Sequence, residues 1–76
     1  MTTADVVREK AMSLARDETP TEEAIRELLE SCAEKRVPVV LAHQQFLKDK
    51  EEGTVDPVVD RAAELLDHVL ERLPLS

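Results

Sequence analysis

The side chains able to do chemistry in this chain are few and scattered. They are His43, His68, Cys32 and the serines Ser13, Ser31 and Ser76. A nucleophile needs a base within hydrogen-bond reach and a third group to orient that base. No serine here has a neighbouring glycine to form a nucleophile elbow, and Gly53 is the single glycine of the chain. Helical metal sites use ligands at i, i+3 or i, i+4, and His43, His68 and Cys32 offer no such pair. The residues therefore read as those of a non-enzymatic protein, with no catalytic group, no cofactor and no metal.

Two of these residues have a structural reading instead. Cys32 lies on the apolar stripe of a predicted helix and is expected to be a buried, inert thiol. As the only cysteine, it excludes an intramolecular disulfide. His43 is expected at the middle of an apolar helix face, flanked by Val39, Phe46 and Leu47. Burial disfavours the charged imidazole. His43 is thus a candidate pH-sensitive residue, whose charging between about pH 7 and 5 should destabilise the fold.

Composition narrows the classes further. The chain has 76 residues, enough for one domain, residues 1–76, with a modest core. Phe46 is the only aromatic residue, so Leu, Val and Ala must fill that core and stacking on nucleic-acid bases is nearly excluded. The net charge of −7 comes from 17 acidic and 10 basic residues that are interspersed. Negative charge repels phosphate backbones and anionic lipids, so neither nucleic acid nor membrane is expected as a partner. The longest apolar run, Val37 to Ala42, contains a proline and is too short to span a bilayer. Met1 to Lys10 holds no stretch of signal-peptide length, and a cytoplasmic location is expected.

The elements that must position these side chains are helices. Pro20, Pro38 and Pro57 divide the chain into four segments, each amphipathic. Segment one, about 4–17, has Thr3 as expected N-cap and a narrow stripe of Val7, Ala11, Leu14 and Ala15. It is the weakest core helix by this reading. Segment two, 20–36, opens on Thr19-Pro20-Thr21-Glu22, which offers a capping box with Thr19 as N-cap and Pro20 at N1. Its apolar side holds Ala24, Ile25, Leu28, Leu29, Cys32 and Ala33. Segment three, 38–52, gathers Val39, Val40, Phe46 and Leu47 around His43, while Leu41 points the other way among Gln44, Gln45 and Lys48. Residues before proline avoid the helical region, so Val37 should be extended. Val37 to Leu41 has strand propensity too, but no second strand exists to pair with it. Gly53 suits the C-terminal cap. Segment four, 57–73, starts at Asp56-Pro57. Its nine apolar residues, Val58, Val59, Ala62, Ala63, Leu65, Leu66, Val69, Leu70 and Leu73, cover an arc of roughly 160°. Pro74 ends it, leaving an apolar stub at Leu75. Short connections make sequential helices spatial neighbours, and the fold class expected is all-α, a compact small four-helix bundle.

In size, acidity and helix number the chain is similar to the acyl carrier proteins. Those carriers hold their cofactor on the serine of an Asp-Ser-Leu motif at the start of the second helix. Here Thr19-Pro20-Thr21-Glu22 occupies that place without a serine, so neither the cofactor nor the activity carries over.

Two binding functions remain. The first is a protein-protein interaction module, an adaptor or regulator that is a homodimer. Segment four offers more apolar surface than a small bundle needs, with Val59, Ala63, Leu66, Leu70 and Leu73 as the candidate seam and Leu41 as a secondary partner contact. The alternative use of that face is wholly internal, in a monomer. The second function is a helix-turn-helix-like DNA-binding regulator made from segments two and three, in which His43, Gln44, Gln45, Lys48 and Lys50 could reach bases or phosphates. Against it stand the negative charge and the lack of a basic stripe.

Overall fold

Four helices and no strand are present among the residues the computed structural model describes, 2–53 and 55–73. They are α1 (Thr3–Arg16), α2 (Thr21–Ser31), α3 (Arg36–Glu51) and α4 (Pro57–Arg72). The all-α four-helix fold expected from periodicity is the fold observed. The expected end at Pro74 and the stub at Leu75 lie outside the described residues.

The helix ends differ from the sequence expectation in instructive ways. Thr2, not Thr3, caps α1, through a capping box with Asp5. The Thr2 hydroxyl accepts from the Asp5 N–H at 3.2 Å, and the Asp5 carboxylate accepts from the Thr2 backbone N–H at 3.2 Å and from the Thr2 hydroxyl at 3.0 Å. These bonds hold the Asp5 carboxyl below the usual carboxylate range, the backbone bond contributing most. The capping box expected at Thr19 is absent: Pro20 occupies the N-cap of α2 and no side chain caps it. Thr19 instead closes the preceding helix, its N–H donating to the Leu14 carbonyl at 3.1 Å while the Glu18 N–H donates to Ala15 at 3.2 Å. That is a Schellman motif, and it makes Glu18 adopt φ 53 where glycine is the easy residue.

A second Schellman motif ends α2 earlier than expected. Ala33 donates to Glu30 at 3.2 Å and Glu34 to Leu29 at 3.1 Å. Ala33 and Glu34 are both left-handed, at φ 53 and φ 60. Two consecutive left-handed residues swing the chain sharply, and α3 then starts at Arg36. Val37 and Pro38 therefore lie inside the first turn of α3. Pro38 is tolerated there because a first-turn N–H has no intrahelical acceptor to lose. The Cys32–Lys35 turn has a large consequence: the backbones of α2 and α3 stay apart, with no Cα atoms of the two helices within 8 Å of each other. Short linkage did not make them neighbours.

The architecture is a central pair flanked on both sides. α1 and α4 pack together, and each also touches α2 and α3. α1 is thus as central as α4, which its narrow stripe did not suggest. Ala11 and Ala15 explain it: small side chains on the inward face let helices approach closely, and Val7 and Leu14 fill the remaining space. α3 runs antiparallel to α4, since Lys50 Nζ meets Asp60 Oδ1 at 3.1 Å at one end and Arg36 Nη1 donates to the Leu70 carbonyl at 3.3 Å at the other. α2 crosses α4 steeply. Arg61 donates to Thr21 Oγ1 at 2.7 Å and Arg72 to Glu22 Oε1 at 2.8 Å. Two arginines about 16 Å apart along α4 thereby converge on adjacent residues at the start of α2.

The core is entirely apolar among the described residues, and no buried side-chain polar atom lacks a partner. Phe46, Ile25, Leu28, Leu65 and Leu66 are its largest members. Cys32 is fully buried, with its thiol donating to the Leu29 carbonyl at 3.4 Å. That is the placement expected for it. Among the described residues no helix is long and apolar enough to cross a membrane.

Candidate functional site

The expected seam on α4 is not a surface. Val59, Ala63, Leu66 and Leu73 are buried by the chain's own helices, and Leu70 is half-buried against the same core. The wide arc of α4 is consumed internally, because this helix touches all three others. An interface through that seam would require unpacking the fold. The helix-turn-helix reading gains nothing from the packing, since no Cα atoms of α2 and α3 come within 8 Å of one another.

Most of the large apolar side chains that face solvent lie on α3, the others being Val6 on α1 and Val55 ahead of α4. The buried stripe of α3 is Val39, Ala42 and Phe46, spaced i, i+3 and i+7. Ala42 therefore sits at the centre of the inward face, where His43 was expected. His43 is half-buried at the α4 side of that stripe, and the expectation of a pH-sensitive core rested on a full burial it lacks. Leu47, assigned to the core face by sequence, is 44% exposed. Leu41 points outward as expected, at 48% exposure, and Val37 is 68% exposed one turn before it. Val40, half-buried, joins them. At helical spacing Val37, Val40, Leu41 and Leu47 share the outward side of α3 with Gln44 between them. The N-terminal half of α3 is apolar on all sides and only one side meets the core.

The neighbouring surface of α4 is sorted by sign of charge. Asp60, Glu64, Asp67 and Glu71 recur at i, i+4, i+7 and i+11, within about 60° of arc. Arg61, His68 and Arg72 fall on the other side of the exposed face. Arg61 and Arg72 reach toward α2, so the acidic flank is the one beside α3. The antiparallel register sets Asp60 against Lys50, Glu64 against Leu47 and Asp67 against His43. A groove of about 310 Å³ runs between the helices there, with Ala63 and Leu47 in its lining. The acidic flank is partly neutralised: Lys50 pairs with Asp60 at 3.1 Å, and Glu64 meets Arg61 at 3.6 Å and His68 at 3.9 Å. All are exposed pairs of small energetic weight. Asp67 has no ion-pair partner among the described residues.

Other hollows are less organised. One of about 400 Å³ lies where the end of α1 meets the start of α4, beside Arg16, Glu18 and Arg61, and one of about 420 Å³ lies along α2 beside Arg26 and Leu29. Both are larger than the α3–α4 groove, but neither joins a run of exposed apolar side chains. Among the described residues no group of three or more His, Cys, Asp or Glu side chains is placed to hold a metal ion.

The sequence pattern puts Leu41 on the outward side of α3 but does not single out the exposure of Val37 and Leu47 or the acidic flank of α4. The signal for the flank was present, since the charges of α4 segregate by sign at helical spacing. The signal for α3 was weaker: apolar residues all round a helix say that one side is exposed, not which. Neither protein-family models, nor curated proteins, nor solved structures yield a match to this chain.

Proposed function

We propose that this chain is a small non-enzymatic protein-protein interaction module, and that it presents the outward face of α3 to another protein. The observation that carries this reading is the exposure of Val37, Leu41 and Leu47 on a single helix, while the large apolar side chains of α4 are all drawn into the core. Clustered exposed apolar residues on a small domain are costly for solubility and mark contact surfaces. Partner contact at Leu41 is retained from the sequence, whereas self-association through α4 is not, because its seam is already occupied.

Site-specific photocrosslinking tests the proposal. A photoreactive amino acid replaces Leu41 on α3 or, as a control, exposed Glu9 on α1, in cells that make the protein. A discrete protein adduct from position 41 and none from position 9 is the expected result. Equal labelling from both positions, or none from either, would defeat the reading. An adduct of twice the chain mass identifies a second copy as the partner.

A further inference from the structure

We infer that the partner is a basic amphipathic helix, lying along the groove between α3 and α4 with its apolar side on α3 and its lysines or arginines against the acidic flank of α4. This rests on the proposed function and names the chemistry of the occupant. Two surfaces of different character meet along one line. On the α3 side, Val40 and Leu47, seven residues apart, offer apolar contact beside the groove, while Leu41 lies more than 90° further round the helix, toward α1. On the α4 side, Asp60, Glu64, Asp67 and Glu71 form a row one helical turn apart. A helix with apolar residues at i, i+3 or i+4 and i+7 matches the first row, and cations on one flank of that helix match the second. A row of carboxylates beside an apolar strip also steers a cationic segment into register and rejects an acidic one. A second copy fits less well. It would bring the same acidic flank and a net charge of −7 to the contact, and like charges repel.

The test uses the full chain, labelled with 15N, and three synthetic helical peptides of about 18 residues, long enough to follow the groove. The first carries leucines along one face and lysines along one flank. The second keeps the leucines and replaces lysine by glutamate. The third keeps the lysines and replaces leucine by glutamine. Amide shift changes map the site, and calorimetry at low and moderate salt gives the affinity. The first peptide should bind, shift residues of α3 and α4 and not those of α1, and weaken about tenfold between low and moderate salt. The second and third should each bind at least about tenfold more weakly. The double substitution Glu64→Gln with Asp67→Asn should lower affinity about tenfold and flatten the salt dependence. Leu47→Ser should lower it as much while leaving the salt dependence in place, and Leu41→Ser, on the α1 side of the helix, should leave it unchanged. All four positions are exposed, so these variants should fold, and circular dichroism checks that they do.

Three results would overturn the inference. Equal binding of the lysine-only peptide means diffuse electrostatics. Equal binding of the glutamate peptide means that the acidic flank takes no part. A dimer in light scattering that Leu47→Ser dissolves makes a second copy the occupant. If the first peptide fails to bind while photocrosslinking at position 41 still yields an adduct, the partner class is wrong and the interaction module stands. If both fail, the module itself is wrong.

Discussion

α3 and α4 have the same length, lie antiparallel and use similar aliphatic residues, yet they spend them differently. α4 draws its whole apolar arc inward, with Val59, Ala62, Ala63, Leu65, Leu66 and Val69 buried and Val58 and Leu70 half-buried. α3 buries only Val39, Ala42 and Phe46, and leaves Val37, Leu41 and Leu47 in contact with water. The difference follows from position. α4 has three helical neighbours and α3 has two, with nothing from α2. A helix at the edge of a bundle can bury one stripe, and any further apolar residue it carries must be exposed. The comparison teaches that apolar content alone does not identify an interface: the most apolar arc in the chain is core, and the less regular helix carries the surface.

One charged substitution in each helix separates core from surface. Leu66→Glu in α4 places a carboxylate in a fully buried site. Its cost should exceed about 5 kcal/mol, comparable with the roughly 4–11 kcal/mol expected for a domain of this size, and the chain should unfold. Leu41→Glu in α3 should leave stability within about 0.5 kcal/mol of the parent. Urea denaturation followed by far-ultraviolet circular dichroism reads both. Folded Leu66→Glu monomers would return α4 to the role of interface.

The helix starts supply a second contrast. Asp56 caps α4, its carboxylate accepting from the Val58 N–H at 2.9 Å, whereas Lys35 stands at the N-cap of α3 with no capping bond. Asp56→Ala should cost about 1 kcal/mol. Lys35→Asp should gain about 0.5–1 kcal/mol, since it supplies an acceptor for the Val37 N–H and replaces a cation at the positive end of the helix. Opposite shifts in the urea midpoint are expected.

The turn that carries the chain into α3 is also improvable. α3 ends with Gly53 at φ 92, but α2 ends with Ala33 at φ 53. Ala33→Gly relieves a left-handed alanine, which costs about 1–2 kcal/mol, against a smaller entropic loss. A net gain of about 0.5 kcal/mol should appear as a raised thermal midpoint.

The smallest effect concerns α1, whose start is capped as that of α4 is. The Asp5 carboxyl is lowered in the folded state by its bonds to Thr2. Its stabilising contribution is therefore complete above the carboxylate range of the unfolded chain and is lost as pH falls through the lower, folded value. An NMR titration of Asp5 should find it below an ordinary aspartate, and Thr2→Ala should raise it.

Much of this molecule was legible from local patterns. Asp56-Pro57 announced the start of α4, the stripes of α1 and α4 named their buried residues, and Cys32 was placed in the core. These are consequences of periodicity and capping, which act within one helix. What failed was whatever depends on a neighbour. The residue type of Thr19 suits a cap for α2, but α2 begins one residue later, with Pro20 at its N-cap, and the Thr19 N–H closes α1 instead. Leu47 and His43 were placed on the inward face of α3 because four apolar residues gathered there, but the face that α1 and α4 actually cover is centred on Ala42.

The sequence by itself determined that this chain makes four amphipathic helices with an aliphatic core and an acidic surface, because helix formation, capping and burial preference are set by residues a turn or two apart. The tertiary structure alone decided which apolar face is core and which is surface. That choice depends on where two left-handed residues, Ala33 and Glu34, send α3, and on the helices that happen to stand beside it. The side of a helix that meets a neighbour is a property of the assembly of elements, and the pattern along one element cannot contain it.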